Sequence, residues 1–210
     1  MPLVKVIKSL IKFPYFLIGA FVFLFFLTRL PYLGRDSINP DAVNWHYRSE
    51  QFIVGLKNGQ WERTYQHYHP GVTLMWIMGP TIEVMRQIDP SLRIYTHENF
   101  LQMHTVAKMA VALVQLILSL GLIWVLAKIM GFSKALLLTV FFSLEPFFIG
   151  NSRLLHMDVL LTLLLMIGLS LTYLAVKSEK KLFLFFSGAF LGLSFLTKSI
   201  AIGSLPSVLA

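Results

Sequence analysis

A chain of 210 residues that is 56% hydrophobic, with mean hydropathy +0.71, is too apolar for a water-soluble domain. Its net charge of +8 does not point to nucleic acid, because no basic stripe with interleaved aromatics occurs in a polar segment and the Lys and Arg residues gather at the ends of apolar runs. The absence of cysteine excludes disulfides, thiolate metal sites and a cysteine nucleophile.

In chain order, Lys5, Lys8 and Lys12 precede an apolar run over 13–33 that ends at Arg29, Pro31 and Gly34. The run is too long for a signal-peptide core and no small-x-small site closes it, so it reads as a retained signal anchor with a cytoplasmic N-terminus. Residues 34–104 form a long loop holding three of the four tryptophans. Within it the spacing predicts a helix from Asp41 through about Lys57, introduced by Asn39-Pro40 and stopped by Asn58-Gly59. Asp41, Trp45, Arg48 and Phe52 share a face of that helix. A second apolar helix, 72–88, is too short to span; its Met75, Trp76, Met78 and Met85 suit the membrane interface.

Further spans are predicted at 105–128, 135–149, 159–176 and 182–202, the second of these short but extendable through Gly131 to Ser133 at one end and Gly150 at the other, giving about five transmembrane helices in an all-α integral membrane protein. Lys128 with Lys134, and Lys177 with Lys180 and Lys181, then fall on the same side as the N-terminal lysines. The positive-inside rule makes that side cytoplasmic and puts the loops 34–104 and 151–158 outside. Residues 1–210 are read as one transmembrane domain.

Two carboxylates on the outer side draw attention, since charge at a bilayer surface needs partners or a task. Asp41 opens a helix, where the dipole favours an acid, or serves as a general base toward an acceptor hydroxyl. Asp158 caps the fourth span or forms the second member of a site. Asp36 is read as a solvated turn residue beside Arg35. Arg153 shares the loop with Asp158 and could pair with it or bind a phosphate. Lys198 snorkels or meets a lipid phosphate. Glu145, beside Pro146, is expected to be paired, with Arg153 or Lys108, or neutral. His67 and His69 share a face if extended, a geometry open to a divalent metal or a phosphate; the plain alternative is an interfacial aromatic belt with hydrogen-bonded histidines.

Taken together, Asp41 after the first span, the turn Tyr68-His69-Pro70-Gly71 leading to Trp76, the loop from Arg153 to Asp158 and Leu196-Thr197-Lys198 in the fifth span form a pattern. It resembles the N-terminal part of a GT-C type membrane glycosyltransferase, close to the protein O-mannosyltransferase and aminoarabinose transferase superfamily. The resemblance implies transfer of a mannose-like sugar from a polyprenyl-phosphate carrier to a protein or glycolipid acceptor on the outer face of the plasma (inner) membrane. It implies Asp41 and Asp158 as catalytic acids, and Arg153, Lys198, Tyr68 and His69 as contacts for carrier or substrate. His67 and His69 fall where some members place a metal-binding or substrate-contacting residue; no other cofactor is implied, and nucleic acid is not a partner. The sequence departs from the pattern in having Asp41-Ala42 for an acidic pair and Pro70-Gly71 for Pro-Pro, and members carry many more spans. The competing reading, a transporter or carrier-lipid flippase subunit, needs polar or broken helices at mid-membrane depth, where this chain shows only groups such as Gln115.

Overall fold

The computed structural model describes residues 3–36, 38–66, 71–93, 96–204 and 206, with the backbone alone for 3–13, 93, 97 and 98. It is all-helical, with no strand among the described residues. Helix α1 is Leu3–Arg29, α2 Pro40–Asn58, α3 Val72–Ile88, α4 His97–Met130, α5 Phe132–Leu144, α6 Pro146–Arg153, α7 Asp158–Ser178 and α8 Lys181–Thr197. Short 3-10 turns follow at Trp61–Thr64, Pro90–Arg93 and Ser199–Ser204.

Helices α4 and α7 are long and apolar enough to cross a membrane. The apolar part of α1, Pro14–Arg29, and α8 are shorter; the 17 residues of α8 reach about 26 Å at about 1.5 Å per residue. The expected third span is not one straight helix. It is the pair α5 and α6, bent by 66°. The break falls at Glu145-Pro146, because Pro146 starts a new helix at its first position and Glu145 turns its carboxylate onto the free amides of Phe147 (3.0 Å) and Phe148 (2.6 Å). Glu145 is thus an exposed N-cap, where a buried carboxylate, paired with Arg153 or Lys108 or else neutral, was expected. The fifth span also ends earlier than expected, at Thr197, with the chain extended at Lys198.

Helix α4 is the central element. Phe21 and Phe25 of α1 pack on its Leu116 and Ile123, together with Leu136 of α5. On the other side, Leu122, Val125 and Leu126 pack against Leu163, Ile167 and Leu171 of α7. Helices α7 and α8 cross closely at Gly168, where an added Cβ would lie 2.9 Å from Leu191. The Ser187 hydroxyl reaches both the Gly168 carbonyl (3.1 Å) and Thr172 Oγ1 (2.6 Å). Lipid tails give apolar side chains no preference for one another, so small residues and such hydrogen bonds hold membrane helices together.

At one end of this bundle, α2 and α3 lie over the start of α4. Trp45 and Phe52 of α2, Leu74, Met75, Met78 and Ile82 of α3, and Met103, Ala107 and Val111 of α4 form a single buried cluster with Leu155, Met157 and Leu160. The end of α1, the start of α4, the junction of α6 with α7 and the end of α8 meet at this same end, which is where the candidate site lies.

Candidate active site

Local sequence sets the first acid. Asn39 is extended (ψ 145°), Pro40 occupies the first helical position, and Asp41 falls in the opening turn of α2. One heptad on, Arg48 projects from the same side, with its guanidinium 4.9 Å over the ring of Trp45. Trp45 is buried and anchors α2 to the core.

The second acid, Asp158, is the first residue of α7; the cap position belongs to Met157, which makes no side-chain cap bond. The Asp158 side chain instead faces two neighbours. Lys198 Nζ lies 2.8 Å from Oδ1, and His156 Nδ1 lies 3.2 Å from Oδ2. The other ring nitrogen of His156 lies 3.7 Å from Asp41 Oδ2, so one imidazole stands between the two carboxylates.

Lys198 reaches Asp158 because the end of α8 is fastened to α3. The Gly71 amide donates to the Thr197 carbonyl (3.0 Å), and the hydroxyls of Thr73 and Thr197 bond at 2.7 Å. Gly71 has φ +50°, and any Cβ there would run into the buried ring of Trp45. The glycine therefore serves both α2 and α8.

Asp41, Asn44, Trp45, Arg48, His156, Met157 and Lys198 line a cleft of about 200 Å³. Asp41 is the most open of its charged groups, with 63% of its side chain exposed against 31% for Lys198. The arrangement sets a reachable carboxylate beside two cations. That combination suits proton removal from an incoming hydroxyl next to a bound anion.

Of the residues singled out in the sequence, Asp41, Asp158 and Lys198 come together. Arg153 does not join them. Its Nη1 donates to the carbonyls of Thr28 (3.3 Å) and Arg29 (3.0 Å), its Nη2 to that of Pro31 (2.8 Å), and its Nε to Asp36 Oδ2 (3.2 Å). The guanidinium is spent on the C-terminal end of α1 and on Asp36, a favourable place for a cation. Asp36, expected as a solvated turn residue, also takes Lys108 Nζ at 2.5 Å. Burial pushes its carboxyl up, but the hydrogen bond and charge of Lys108, with Arg153 and the Gly34 amide, outweigh this and hold it below the usual carboxylate value. Tyr68, His67 and His69 lie outside the described residues. Among the described residues no group of three His, Cys, Asp or Glu side chains is placed to hold a metal ion.

Two cleft residues were not read as functional from sequence. His156 stands two positions before Asp158, in the loop already singled out, and that proximity was its one signal. Arg48 is seven residues after Asp41, a helical spacing that put it on the face of the acid, but nothing in the sequence showed this face open to a cleft.

The model of the dolichyl-phosphate-mannose-protein mannosyltransferase family matches residues 90–210, more than half of the chain. The matched stretch contains Arg153, His156, Asp158 and Lys198, whereas Asp41 lies before it. No curated protein and no solved structure matches the chain. The helical membrane architecture agrees with this match, and the chain belongs to the dolichyl-phosphate-mannose-protein mannosyltransferase family, membrane glycosyltransferases that use a polyprenyl-phosphate-linked sugar.

Proposed function

We propose that the protein transfers a mannose-like sugar from a polyprenyl phosphate to an acceptor on the extracytoplasmic face of the plasma membrane, by a single displacement with inversion. The acceptor is a protein or glycolipid hydroxyl. Residues 1–210 act as one membrane domain, with 34–104 outside and the N-terminus in the cytoplasm. The observation that carries this reading is the convergence of Asp41, Arg48, His156 and Lys198 on one cleft at the end of an apolar bundle, with Asp158 behind them holding His156 and Lys198.

In this mechanism Asp41 accepts the proton of the acceptor hydroxyl while the hydroxyl oxygen forms a bond to the anomeric carbon. The bond from that carbon to the phosphate oxygen breaks, and the electron pair leaves with the phosphate. Lys198 and Arg48 face the growing negative charge, a role left to them because Arg153 is already engaged. Asp158 holds Lys198 and His156, and His156 steadies Asp41. The carrier phosphate is an activated leaving group, so alignment and charge stabilisation are what the protein must add.

The test is sugar transfer from a synthetic polyprenyl-phosphate mannose by membranes containing the full-length protein, with the product anomer assigned by NMR. Asp41→Asn is expected to lower turnover by about 10²- to 10⁴-fold at unchanged membrane insertion, the usual contribution of a general base. Wild-type turnover in that variant would remove Asp41 from the site. A retained anomeric configuration would replace single displacement with a two-step route.

A further inference from the structure

The loops that bring the two acids together are joined by two sets of charged pairs, besides a long 3.5 Å bond from Asn39 Nδ2 to the Leu155 carbonyl. Five residues before Asp41 stands Asp36; five before Asp158 stands Arg153. The pair Asp36–Arg153 is bonded through Nη2 at 3.1 Å and Nε at 3.2 Å, and the pairs Asp41–His156 and Asp158–His156 form the second connection. Two rungs thus tie one short loop to another.

The outer rung is built with more contacts than the inner one. Both Asp36 oxygens are engaged: Oδ1 by Lys108 Nζ (2.5 Å) and the Gly34 amide (3.2 Å), Oδ2 by Arg153. The Lys108 side chain is 2% exposed, so its charge has been taken out of water and depends on Asp36. Arg153 adds three bonds to carbonyls at the end of α1. Gly34 (φ +88°) lies so close to Thr105 of α4 that a Cβ would collide with that side chain. The rung therefore fixes α1, α4 and the α6–α7 loop to one carboxylate, and Asp36 is not among the residues lining the cleft.

We propose that Asp36 is a positioning residue for the transfer reaction: with Arg153 and Lys108 it holds the loop of Asp41 in register with the loop of His156 and Asp158. This rests on reading the cleft as the site of sugar transfer. The inner rung is loose, at 3.7 Å between His156 and Asp41 and with Asp41 largely exposed, and the Asn39–Leu155 bond is long at 3.5 Å, so these two do not set the register by themselves. The contact that does is outside the cleft, where substrate entry leaves it undisturbed.

The chain contains no cysteine, which makes introduced pairs of spin labels specific. Labels at the exposed positions Val43 on α2 and Phe147 on α6 report the separation of the two loops by double electron–electron resonance. In the full-length protein, Asp36→Asn is expected to broaden or shift that distance distribution. It should lower kcat at least about tenfold, with the donor KM within about twofold, as misplacement of a base does. If the single variant fails to insert, Asp36→Asn with Lys108→Met removes the unpaired buried charge and is measured in the same way. An unchanged distance distribution overturns the positioning role whatever the activity, and a broadened distribution with unchanged kcat does so too. If the unmutated, labelled protein transfers no sugar, the reading of the cleft fails and the catalytic role of Asp36 falls with it. The distance data still report whether the two loops are held by this carboxylate.

Discussion

Gly71 shows how much a single residue decides at this site. Its amide holds Thr197 in place, and the position of its missing Cβ is filled by the Trp45 ring. Gly71→Ala is expected to destabilise the fold by about 1–3 kcal/mol through overpacking at positive φ. Gly59 offers a control, with φ +65° and nothing within 4 Å of an added Cβ. Gly59→Ala should cost about 1 kcal/mol, the left-handed backbone penalty alone. Thermal unfolding of the two variants in detergent checks the difference, and equal midpoints would mean that the Trp45 contact contributes nothing. At this scale the sequence was readable where a residue's neighbours are local. Asp41 at a helix start and Asp158 at the head of a span could be picked out by position. The partner of Arg153 could not: Asp158, five residues away, was the near candidate, and Asp36, 117 positions distant, is where the side chain goes.

At the scale of elements, α2 carries a buried polar group into its packing with α4. His46 is 2% exposed, with Nε2 3.2 Å from His104 Nδ1. Burial first, and then the nearby His104 ring, push its pKa down from 6.5 to about 4. The sign follows from the proton balance. Above pH 6.5 His46 is neutral in both folded and unfolded chains and its packing is fully available. Between pH 6.5 and about 4 the unfolded chain takes up a proton that the folded one refuses, so stability falls as the pH drops, and the loss levels off below about 4. The loss is expected to be on the order of 1–3 kcal/mol. His46→Gln, which keeps a donor and an acceptor without titrating there, should reduce the slope of this part of the profile, leaving the share of His104, which burial also pushes down to about 4. Thermal midpoints at pH 7.5 and 4.5 for both proteins check this, and identical slopes would exclude His46 as the cause. Helices α2 and α3 matched their expected limits closely because caps and turn residues are local signals: Pro40 and Gly59 for the one, Gly71 for the other. The bend after α5 and the early end of α8 were missed because mean apolarity continues through both. The first is decided by Pro146 with the Glu145 cap, the second by the hydrogen bonds that α3 offers to Thr197.

For the whole molecule, the expected orientation comes from charge. Lys128, Lys134, Lys177, Lys180 and Lys181 lie at the end of the bundle away from the cleft, where Lys128 stacks on Trp124 (4.4 Å) and Lys177 on Tyr173 (5.8 Å). Such Lys–aromatic pairs suit a membrane–water interface, which the proposed orientation makes the cytoplasmic one. A cysteine placed at Trp61, 68% exposed on the cleft side, should react with a membrane-impermeant maleimide in intact cells. One placed at Lys180 should react only after permeabilisation; the reverse pattern would invert the orientation and move the cleft to the cytoplasm. By itself the sequence determined that this is a helical membrane protein, where its main apolar runs lie, how its basic residues divide between their ends, and which acids face the same side. These follow from composition and local period, which each stretch of chain carries within itself. The tertiary structure decided which of those charged groups meet. His156 stands between the acids, Lys198 is delivered by a helix end pinned to α3, and Arg153 is withdrawn to Asp36. Those pairings depend on how helices far apart in sequence cross, and the crossing is set by packing at residues such as Gly168, Gly71 and Trp45, which no local pattern reveals.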